Sequence, residues 1–424
     1  MKKVVVIWMW YVWFPLACAI SKSWKYEVIW LDIDQWKVDQ INAKKSSVDD
    51  ELAEKDIVEY PFSASLDPTV LTDADIAIIC VPTPINADNS PNLGPVKSAV
   101  RTIAQYAKKP LDVIVESTIN PGVCDEVVAP LFAELGKELN KDYFLAHCPE
   151  RINPGDPKRN VYNINRNVWA STPEATKRLA DFYRSFLDAE VREMIDIRHA
   201  EATKIVENVF RDINIAFVNE LAKSFDQLGL DIVEVIQWSS NKPFAFMAHY
   251  PGCGVGGHCI PVDPYYLIER ASQAGFDHKF LSLAREINNS MPAYTVELLV
   301  RELNKIQKSL SWTKVWLLGM SYKRDIADLR ESPAFDVKKL LEKWWAALDI
   351  YEPYNNEIST QWSLEDILEK VDVIVVTTNH TEFVQKLTPE LLNKHDIQVV
   401  VDGKNCLDKA ALVTSWINYT WIGR

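Results

Sequence analysis

The chain has 424 residues and a formal net charge of −13, with 48% hydrophobic and 25% charged residues. This length allows two or three domains, the composition is ordinary for a soluble globular protein, and the acidic balance argues against a nucleic-acid backbone as the main partner. Seven cysteines without a CxxC pair or zinc-type spacing favour reduced thiols in the cytoplasm over a disulfide framework or a metal site.

The first apolar segment allows two interpretations. After residues 1–3, the run VVVIWMWYVWFPLACAI carries no charge, and the next charge is Lys22. Such a run is at the short end of a membrane span, and its ACA pattern at 17–19 resembles the end of a signal peptide. The following YEVIWLDID instead predicts a β-strand that ends in acid, as in a nucleotide-binding domain. That second interpretation requires glycines in the preceding turn, and the turn has none.

Short β-branched runs alternate with amphipathic stretches through the first third of the chain. The runs are VVVI, EVIWLDI, ADIAIICVPTP and LDVIVEST, and similar runs return near the C-terminus in TKVWLLGMSYK, ALDIYEPY, VDVIVVTTNH and IQVVVDGKN. This alternation is typical of a parallel, doubly wound sheet. The sequence therefore predicts two α/β domains.

The segment between them, residues of about 198 to 300, is predicted to be mostly helical. In AEATKIVENVFRDINIAFVNELAKSF, apolar residues from Ile205 to Phe217 recur at helical spacing. The spacing predicts a helix of roughly 25 residues, about 38 Å long. Its apolar stripe is either a dimer face or ordinary core.

Four of the thirteen glycines lie close together in YPGCGVGGHCIPVDPYYL, directly before Cys259. Glycine makes up only about 3% of this chain, against a usual share near 7%, so the cluster indicates tight turns or close approach of a ligand. A thiol beside exposed backbone N–H groups is a candidate nucleophile, because such groups favour the thiolate and stabilise an oxyanion. The alternative is a buried structural cysteine in a tight turn.

This stretch resembles the active-site loop of the UDP-glucose/GDP-mannose dehydrogenase family, whose members use NAD to oxidise a nucleotide sugar at C6 through an aldehyde to a carboxylate. The motifs CVPTP, ESTINPG, CPERINPGD, KIVENVFRDINIAFVNELA, GVGGHCIPVDPYYL and SYKRDIADLRESPA occur in the family's order over nearly the whole chain. The resemblance implies an α/β fold with two Rossmann-like domains. The N-terminal NAD-binding domain would span 1–197, a helical dimerisation segment with the cysteine loop 198–300, and a UDP-sugar-binding domain 301–424. A homodimer or higher homo-oligomer is expected.

The resemblance assigns the covalent chemistry to Cys259. Its sulfur would capture the aldehyde as a thiohemiacetal, and a second hydride transfer would leave a thioester for water to hydrolyse. Glu150, in CPER, matches the family glutamate that assists this hydrolysis, which is a general-base role.

Four further residues match catalytic positions of the family. Lys204 and Asn208, which lie on the same face of one helix, would hold the C6 oxygen and stabilise its developing negative charge. Asp263 would position the lysine and a water, and Thr118 would lie near the nicotinamide and the catalytic water. Taken singly, the first three could be solvated helix or turn positions. His258 adjoins the predicted nucleophile but receives no catalytic role.

The remaining matched positions concern binding. The expected cofactor contacts are Tyr11, Val12, Asp32, Lys37, Thr83, Thr118 and Arg330. The expected UDP-sugar contacts are Glu150, Arg151, Lys204, Asn208, Tyr250, Gly252, Gly256, Gly257 and Lys323. Asp32 ends the second strand about 20 residues after the first turn, where an acid usually binds the ribose hydroxyls of NAD. Loop 250–257 is expected to meet the substrate mainly through its backbone.

The chain departs from the family in its first turn. The family pattern GxGxxG, in the context GYVGLPLA, has Trp8, Trp10 and Trp13 at its three glycine positions. Those glycines serve the tight turn, the approach of backbone to the pyrophosphate, and the packing of helix on strand. We therefore expect the second indole to occupy cofactor space and the third to push the helix off the sheet. Tryptophan also replaces an expected small residue at Trp30, Trp169, Trp344 and Trp345.

Three hypotheses follow from the sequence. The first is an NAD-dependent UDP-sugar 6-dehydrogenase, in which the wording IPVDPYYL resembles the UDP-N-acetylhexosamine dehydrogenases more than the UDP-glucose enzymes. The favoured substrate is UDP-N-acetylglucosamine, with UDP-N-acetylmannosamine and UDP-glucose as alternatives. The second is a catalytically impaired nucleotide-sugar binder, since the glycine turn is altered. The third is a membrane-anchored protein, which the context of the first apolar run disfavours.

Overall fold

The structure, a computed structural model, describes residues 1–8, 13–46, 51–152, 158–361, 363–364 and 371–423. It divides into two units, Met1–Glu207 with Tyr265–Phe276, and Asn208–Pro264 with Asp277–Arg424. One long helix, α7, runs from Ile197 to Leu228 and contributes to both units.

The first unit is built on a sheet of eight strands within the described residues. The strands are β1 Lys2–Ile7, β2 Tyr26–Leu31, β3 Ser63–Ser65, β4 Ile76–Ile79, β5 Leu111–Val115, β6 Tyr143–His147, β7 Arg166–Ala170 and β8 Val191–Glu193. Their order is β3-β2-β1-β4-β5-β6-β7-β8, with β6 and β7 antiparallel and the other neighbours parallel. The first six strands have the 3-2-1-4-5-6 order of a dinucleotide-binding fold, so the predicted Rossmann-like domain is confirmed.

Helices cover both faces of this sheet. They are α1 Trp13–Lys22, α2 Gln35–Asn42, α3 Glu51–Glu59, α4 Gly94–Tyr106, α5 Ala129–Glu134 and α6 Pro173–Arg184, with a 3₁₀ turn at Pro68–Leu71 and a π turn at Cys124–Val128. Val4 and Val6 pack in the core that contains α1 and α6, whereas Val5 and Ile7 pack in the opposite core with α4 and α5. Because both faces are buried, the strand is apolar at every position from Val4 to Ile7.

The opening apolar run is therefore strand β1 followed by helix α1. Among the described residues, no helix is both long enough and apolar enough to cross a bilayer. No disulfide joins the seven cysteines, all of which lie in the described part of the chain.

The second unit contains a five-stranded sheet among its described residues. The strands are β9 Lys314–Leu318, β10 Ala347–Tyr351, β11 Val373–Val376, β12 Val399–Asp402 and β13 Asn418–Trp421. All neighbours are parallel, in the order β10-β9-β11-β12-β13, which is the 2-1-3-4-5 order of a doubly wound sheet. The second predicted Rossmann-like domain is confirmed.

The helices of the central and C-terminal segments complete the fold. They are α8 Ile232–Ser239, α9 Asp263–Gln273, α10 Lys279–Lys305, α11 Ala334–Lys343, α12 Thr381–Lys386, α13 Pro389–Lys394 and α14 Lys409–Val413. Helix α7 has 32 residues and is longer than the roughly 25 that the apolar spacing predicts. The domain limits at 197/198 and 300/301 stay predictions.

Candidate active site

The turn after β1 keeps a glycine-like backbone although it carries an indole. Trp8 has φ 58°, in the left-handed region that a bulky residue rarely adopts. Its N–H donates to the Leu31 carbonyl at 2.8 Å. The indole lies edge-on to Trp13, with 6.4 Å between ring centroids, and the Lys37 ammonium lies 5.4 Å from the Trp8 ring centroid. The residues predicted at 10, 11 and 12 lie outside the described part of the chain.

The expectation that Trp13 pushes helix α1 off the sheet is wrong. Phe14 and Leu16 of this helix are fully buried in one core with Val4 and Trp30. Trp13 is the first residue of α1, and its half-buried side chain packs against the same core without displacing the helix.

Asp32 provides the buried acceptor that a cofactor ribose requires. The residue follows β2 and is 4% exposed. Its Oδ1 accepts the N–H groups of Ile33 at 2.7 Å and Asp34 at 3.0 Å, while its Oδ2 has no hydrogen-bond partner among the described residues. Buried acceptors are normally satisfied, and ribose hydroxyls would satisfy this one. Asp32 therefore fits NAD, whereas the indoles of the first turn do not offer the close backbone approach that glycine gives.

The carboxyl ends of β4 and β5 hold the two threonines predicted near the cofactor. Thr83 is buried, and its carbonyl accepts a hydrogen bond from the Tyr266 hydroxyl. Thr118 is half-buried, and two residues further on Asn120 Nδ2 donates to the Tyr266 carbonyl at 3.3 Å. Tyr266 thus joins the loops that carry both threonines. Sequence reasoning missed it, although it lies in the quoted motif DPYYL.

Glu150 lies beyond the end of β6 and is 6% exposed. Its N–H donates to the Glu116 carbonyl at 3.4 Å, and its carboxylate accepts the Ile152 N–H. Burial raises the pKa of Glu150, while the positive charges of Arg166 and Lys204 oppose that rise. A carboxylate with a raised pKa suits a general base, because it binds a proton more readily near neutral pH.

Lys204 and Arg151 lie in the same unit as Glu150. Lys204, on α7, is 8% exposed, so the solvated alternative for this lysine does not apply. Arg151 is engaged within the unit, since its Nε donates to Glu207 Oε2 at 3.1 Å and its Nη1 to the Asn165 carbonyl at 3.0 Å. A role of Arg151 in substrate binding stays a prediction.

The second unit brings together Asn208, Cys259 and Asp263. Asn208 Nδ2 donates to Asp263 Oδ2 at 2.5 Å, and the two residues are 8% and 2% exposed. The Asp263 N–H donates to the Cys259 carbonyl at 2.9 Å at the start of α9. Cys259 is half-buried. One turn of chain therefore joins the predicted nucleophile to a buried carboxylate and a buried amide.

The glycines before Cys259 are required by close packing. An added Cβ would lie 2.6 Å from Tyr322 Cβ at Gly256, 2.9 Å from the Tyr322 ring at Gly257, and 2.6 Å from Pro333 Cβ at Gly254. Gly254 and Gly257 also have φ of 139° and 91°. The glycine loop consequently packs against segment 322–333, which carries the two predicted cations.

Those cations and the loop backbone have partners of their own. Arg330 makes a two-pronged contact with Asp328, at 2.9 Å and 2.5 Å, and its carbonyl accepts the Gly257 N–H at 3.1 Å. Lys323 is half-buried. The Gly252 N–H donates to Asn219 Oδ1 at 3.0 Å and the Cys253 N–H to the Gly403 carbonyl at 3.0 Å, so at least three backbone N–H groups of the loop bond within the protein.

The other loop residues differ in exposure and charge. Tyr250 is 50% exposed, which leaves its ring accessible. Burial, aided by the Arg330 charge, lowers the pKa of His258 to about 4. His258 is therefore neutral near pH 7.

Three domain models describe the similarity of this chain to known proteins. The NAD binding domain of the UDP-glucose/GDP-mannose dehydrogenase family matches residues 2–187, its central domain matches 198–290, and its UDP binding domain matches 316–409.

Individual relatives extend over most of the chain. UDP-N-acetyl-D-glucosamine 6-dehydrogenase of Pseudomonas aeruginosa is 35% identical over 355 residues, which are 83% of each protein. UDP-N-acetyl-D-mannosamine dehydrogenase of Methanococcus maripaludis is 32% identical over 420 residues, 96% of this chain and 93% of the relative. The solved structure of UDP-D-ManNAc dehydrogenase from Pyrococcus horikoshii has a TM-score of 0.93 at 30% identity and covers 100% of this chain and 99% of that one.

Proposed function

Because the chain belongs to the UDP-glucose/GDP-mannose dehydrogenase family, the NAD-dependent dehydrogenases of nucleotide sugars, we propose that it oxidises UDP-N-acetylglucosamine at C6 to the uronic acid. The observation that carries the chemistry is the Asn208–Asp263 hydrogen bond beside the Cys259 backbone. The Pseudomonas relative supports the choice of sugar. UDP-N-acetylmannosamine, which other relatives use according to their names, and UDP-glucose are the alternatives.

The first step is removal of a proton and a hydride from the C6 alcohol. Bound NAD supplies the hydride acceptor for both oxidations. Lys204 and Asn208 hold the C6 oxygen and stabilise its developing negative charge. Both side chains are buried, and hydrogen-bond donors stabilise such a charge more strongly where water is excluded. Asp263 fixes the Asn208 amide, so that its donor is oriented before the substrate arrives.

The second oxidation requires a covalent adduct. The Cys259 thiolate adds to the C6 aldehyde, and the resulting thiohemiacetal loses a second hydride to become a thioester. Water then attacks the thioester, Glu150 accepts the water's proton, and the Cys259 thiol is released with the carboxylate product. The raised pKa of Glu150 supports this last role.

The assignment of Cys259 is tested by replacing it with serine. In Cys259→Ser, no second NAD should be reduced and no uronic acid should form, while UDP-sugar binding persists. Cys406→Ser is the matched control, because Cys406 is also half-buried but follows β12 and is not part of the glycine loop. Full acid formation by Cys259→Ser would overturn the nucleophile assignment.

A second candidate function, a nucleotide-sugar binder with impaired catalysis, rests on the indoles at the glycine positions. NAD titration separates the two. Restoring glycine at Trp8, Trp10 and Trp13 together should strengthen NAD binding by orders of magnitude if the indoles obstruct the cofactor. Equal NAD affinity in both forms would mean that the altered turn does not limit binding.

The quaternary state and the location of the protein are part of the proposal. Val206, Phe210 and Phe217 on helix α7 are 55%, 48% and 54% exposed and recur at helical spacing. This apolar stripe supports a homodimer or higher homo-oligomer built on α7, which sedimentation velocity tests. The reduced cysteines support the cytoplasm as the place of reaction.

A further inference from the structure

A buried polar bridge connects the glycine loop to helices α7 and α10. The Asn219 Oδ1 accepts the Gly252 N–H at 3.0 Å, and Asn219 Nδ2 donates to Asn288 Oδ1 at 2.9 Å. Asn288 Nδ2 donates in turn to Asp212 Oδ1 at 2.8 Å and to the Asp212 carbonyl at 3.1 Å. Arg285 Nη1 closes the bridge on Asp212 at 2.6 Å. The four side-chain residues of the bridge are between 0% and 4% exposed.

The ends of the bridge fix the orientation of both amides. The Gly252 N–H requires an oxygen from Asn219, and the Asp212 carboxylate requires an N–H from Asn288. Each asparagine can satisfy both neighbours in one orientation only. The bridge therefore connects the Gly252 N–H to side chains of both α7 and α10.

Helix α7 also holds the other end of the loop. Asn208 and Asn219 are eleven residues apart on this helix, about three turns at 3.6 residues per turn, so they lie on the same face. Asn208 bonds Asp263 after Cys259, and Asn219 bonds Gly252 before it. Both ends of segment 252–263 are therefore hydrogen-bonded to one helix face.

We propose that Asn219 is a positioning residue that places Cys259 relative to Asn208 and Asp263 through this polar bridge. The inference deepens, and rests on, the proposed dehydrogenase function. Asn219 touches no substrate in this role. It sets where the loop begins, while Asn208 and Asp263 set where it ends.

The test combines steady-state kinetics with the reactivity of one thiol. In Asn219→Ala, kcat should fall at least about tenfold with little change in KM for NAD, because a misplacement of 1 Å can cost about 10²-fold. Alkylation of Cys259 by iodoacetamide, followed on its own peptide by mass spectrometry, should change rate by at least about tenfold in the same variant. Asn214→Ala is the matched control, since Asn214 is a half-buried asparagine of the same helix whose Nδ2 donates to the Phe210 carbonyl at 2.7 Å and not to the bridge.

Two milder variants keep the test decisive if Asn219→Ala does not fold. Asn219→Asp retains the acceptor for Gly252 but loses the donor to Asn288, and Asn288→Ala breaks the bridge one step further away. In both variants, kcat and the rate of Cys259 alkylation should lie between those of the wild type and those of Asn219→Ala. Wild-type kcat and wild-type alkylation in these folded variants would overturn the proposal. If the wild type oxidises no UDP-sugar, the proposed function fails, while alkylation still tests the bridge.

An independent observation concerns the tryptophans. Trp8, Trp24, Trp312 and Trp345 have φ of 58°, 56°, 65° and 57°, in the left-handed region that favours glycine. The first turn carries tryptophan at each of the glycine positions of its motif. The thirteen glycines and fifteen tryptophans together make 28 of the 424 residues, about 7%, which is the usual share of glycine alone.

We infer that these tryptophan positions are glycine in the protein that the source cell makes, because its ribosomes read as glycine a codon that other genetic codes read as tryptophan. UGA, a stop codon in the standard code, is the candidate. The inference accounts at once for the scarcity of glycine, the abundance of tryptophan, and the left-handed indole-bearing residues.

Mass spectrometry of the protein purified from cells that carry the gene tests this inference. Peptides that contain residues 8, 24, 312 and 345 should have the mass expected for glycine, and the gene should carry UGA at those codons. Peptides with tryptophan at these residues, or UGG codons there, would overturn it.

Discussion

Replacing the exposed left-handed tryptophans by glycine should stabilise the protein. Trp312 and Trp345 are 81% and 71% exposed, so little packing is lost when their indoles are removed. Their backbone bond, from the Trp312 N–H to the Trp345 carbonyl at 2.8 Å, does not need a side chain. A left-handed conformation costs a non-glycine residue about 1–2 kcal/mol, and the extra freedom of glycine in the unfolded chain offsets about 0.5–1 kcal/mol. The net gain is roughly 0.5–1 kcal/mol per site.

Calorimetry measures this gain directly. For a unit of about 200 residues, 1 kcal/mol corresponds to about 2–4 °C in Tm, so Trp312→Gly/Trp345→Gly should raise the transition of the second unit by about 4 °C. Trp24→Gly should raise that of the first unit by less, because Trp24 also has an edge-on contact with Tyr60 at 6.2 Å.

The control variant, Trp238→Gly, should change Tm in the opposite direction. Trp238 is 78% exposed within helix α8, where glycine costs about 0.5 kcal/mol more than tryptophan. Trp238→Gly should therefore lower Tm slightly. A decrease in Tm of the double variant as large as that of Trp238→Gly would refute the argument that the left-handed indole-bearing residues are strained.

Three further predictions follow from the buried charges and the loop packing. Burial raises the pKa of Glu201 from 4.5 to about 7, so its contribution to stability is complete below pH 4.5 and is lost as the pH rises through 7. In urea unfolding between pH 4 and 8, the free energy of unfolding of Glu201→Gln should vary with pH by about 3 kcal/mol less than that of the wild type. Because the Lys204 charge opposes the rise in the pKa of Glu150, Lys204→Met should move the acidic limb of the residual kcat–pH profile to higher pH, and an unmoved limb would contradict the coupling. Gly256→Ala places a Cβ 2.6 Å from Tyr322 and should cost about 1–3 kcal/mol in thermal unfolding, whereas unchanged Tm would mean that the loop can relax.

Local pattern was sufficient for the fold and for part of the site. The alternation of apolar runs predicted the two mostly parallel sheets, since strands buried on both faces are largely apolar. The crowding of glycine before Cys259 predicted close packing, and Gly256 and Gly257 indeed lie against Tyr322. The φ of Trp8 confirms that the first turn needs a glycine-like backbone.

The remaining features depend on contacts between distant parts of the sequence. Asn219 meets Gly252 across 33 positions, and the Tyr266 hydroxyl meets the Thr83 carbonyl across 183, and no local periodicity encodes either pair. Trp24 could have been identified, because it lies just after helix α1, where left-handed glycine commonly ends a helix. The packing of Trp13 against the core beside α1 depends on side-chain direction, which sequence spacing does not give.

The most direct test of the proposed function is the amount of NADH formed per UDP-N-acetylglucosamine consumed by the purified protein. The four-electron pathway through Cys259 predicts two NADH for each uronic acid. One NADH with release of the aldehyde would contradict the role of the thiol, and no NADH with the UDP-sugar still bound would contradict the proposed oxidation itself.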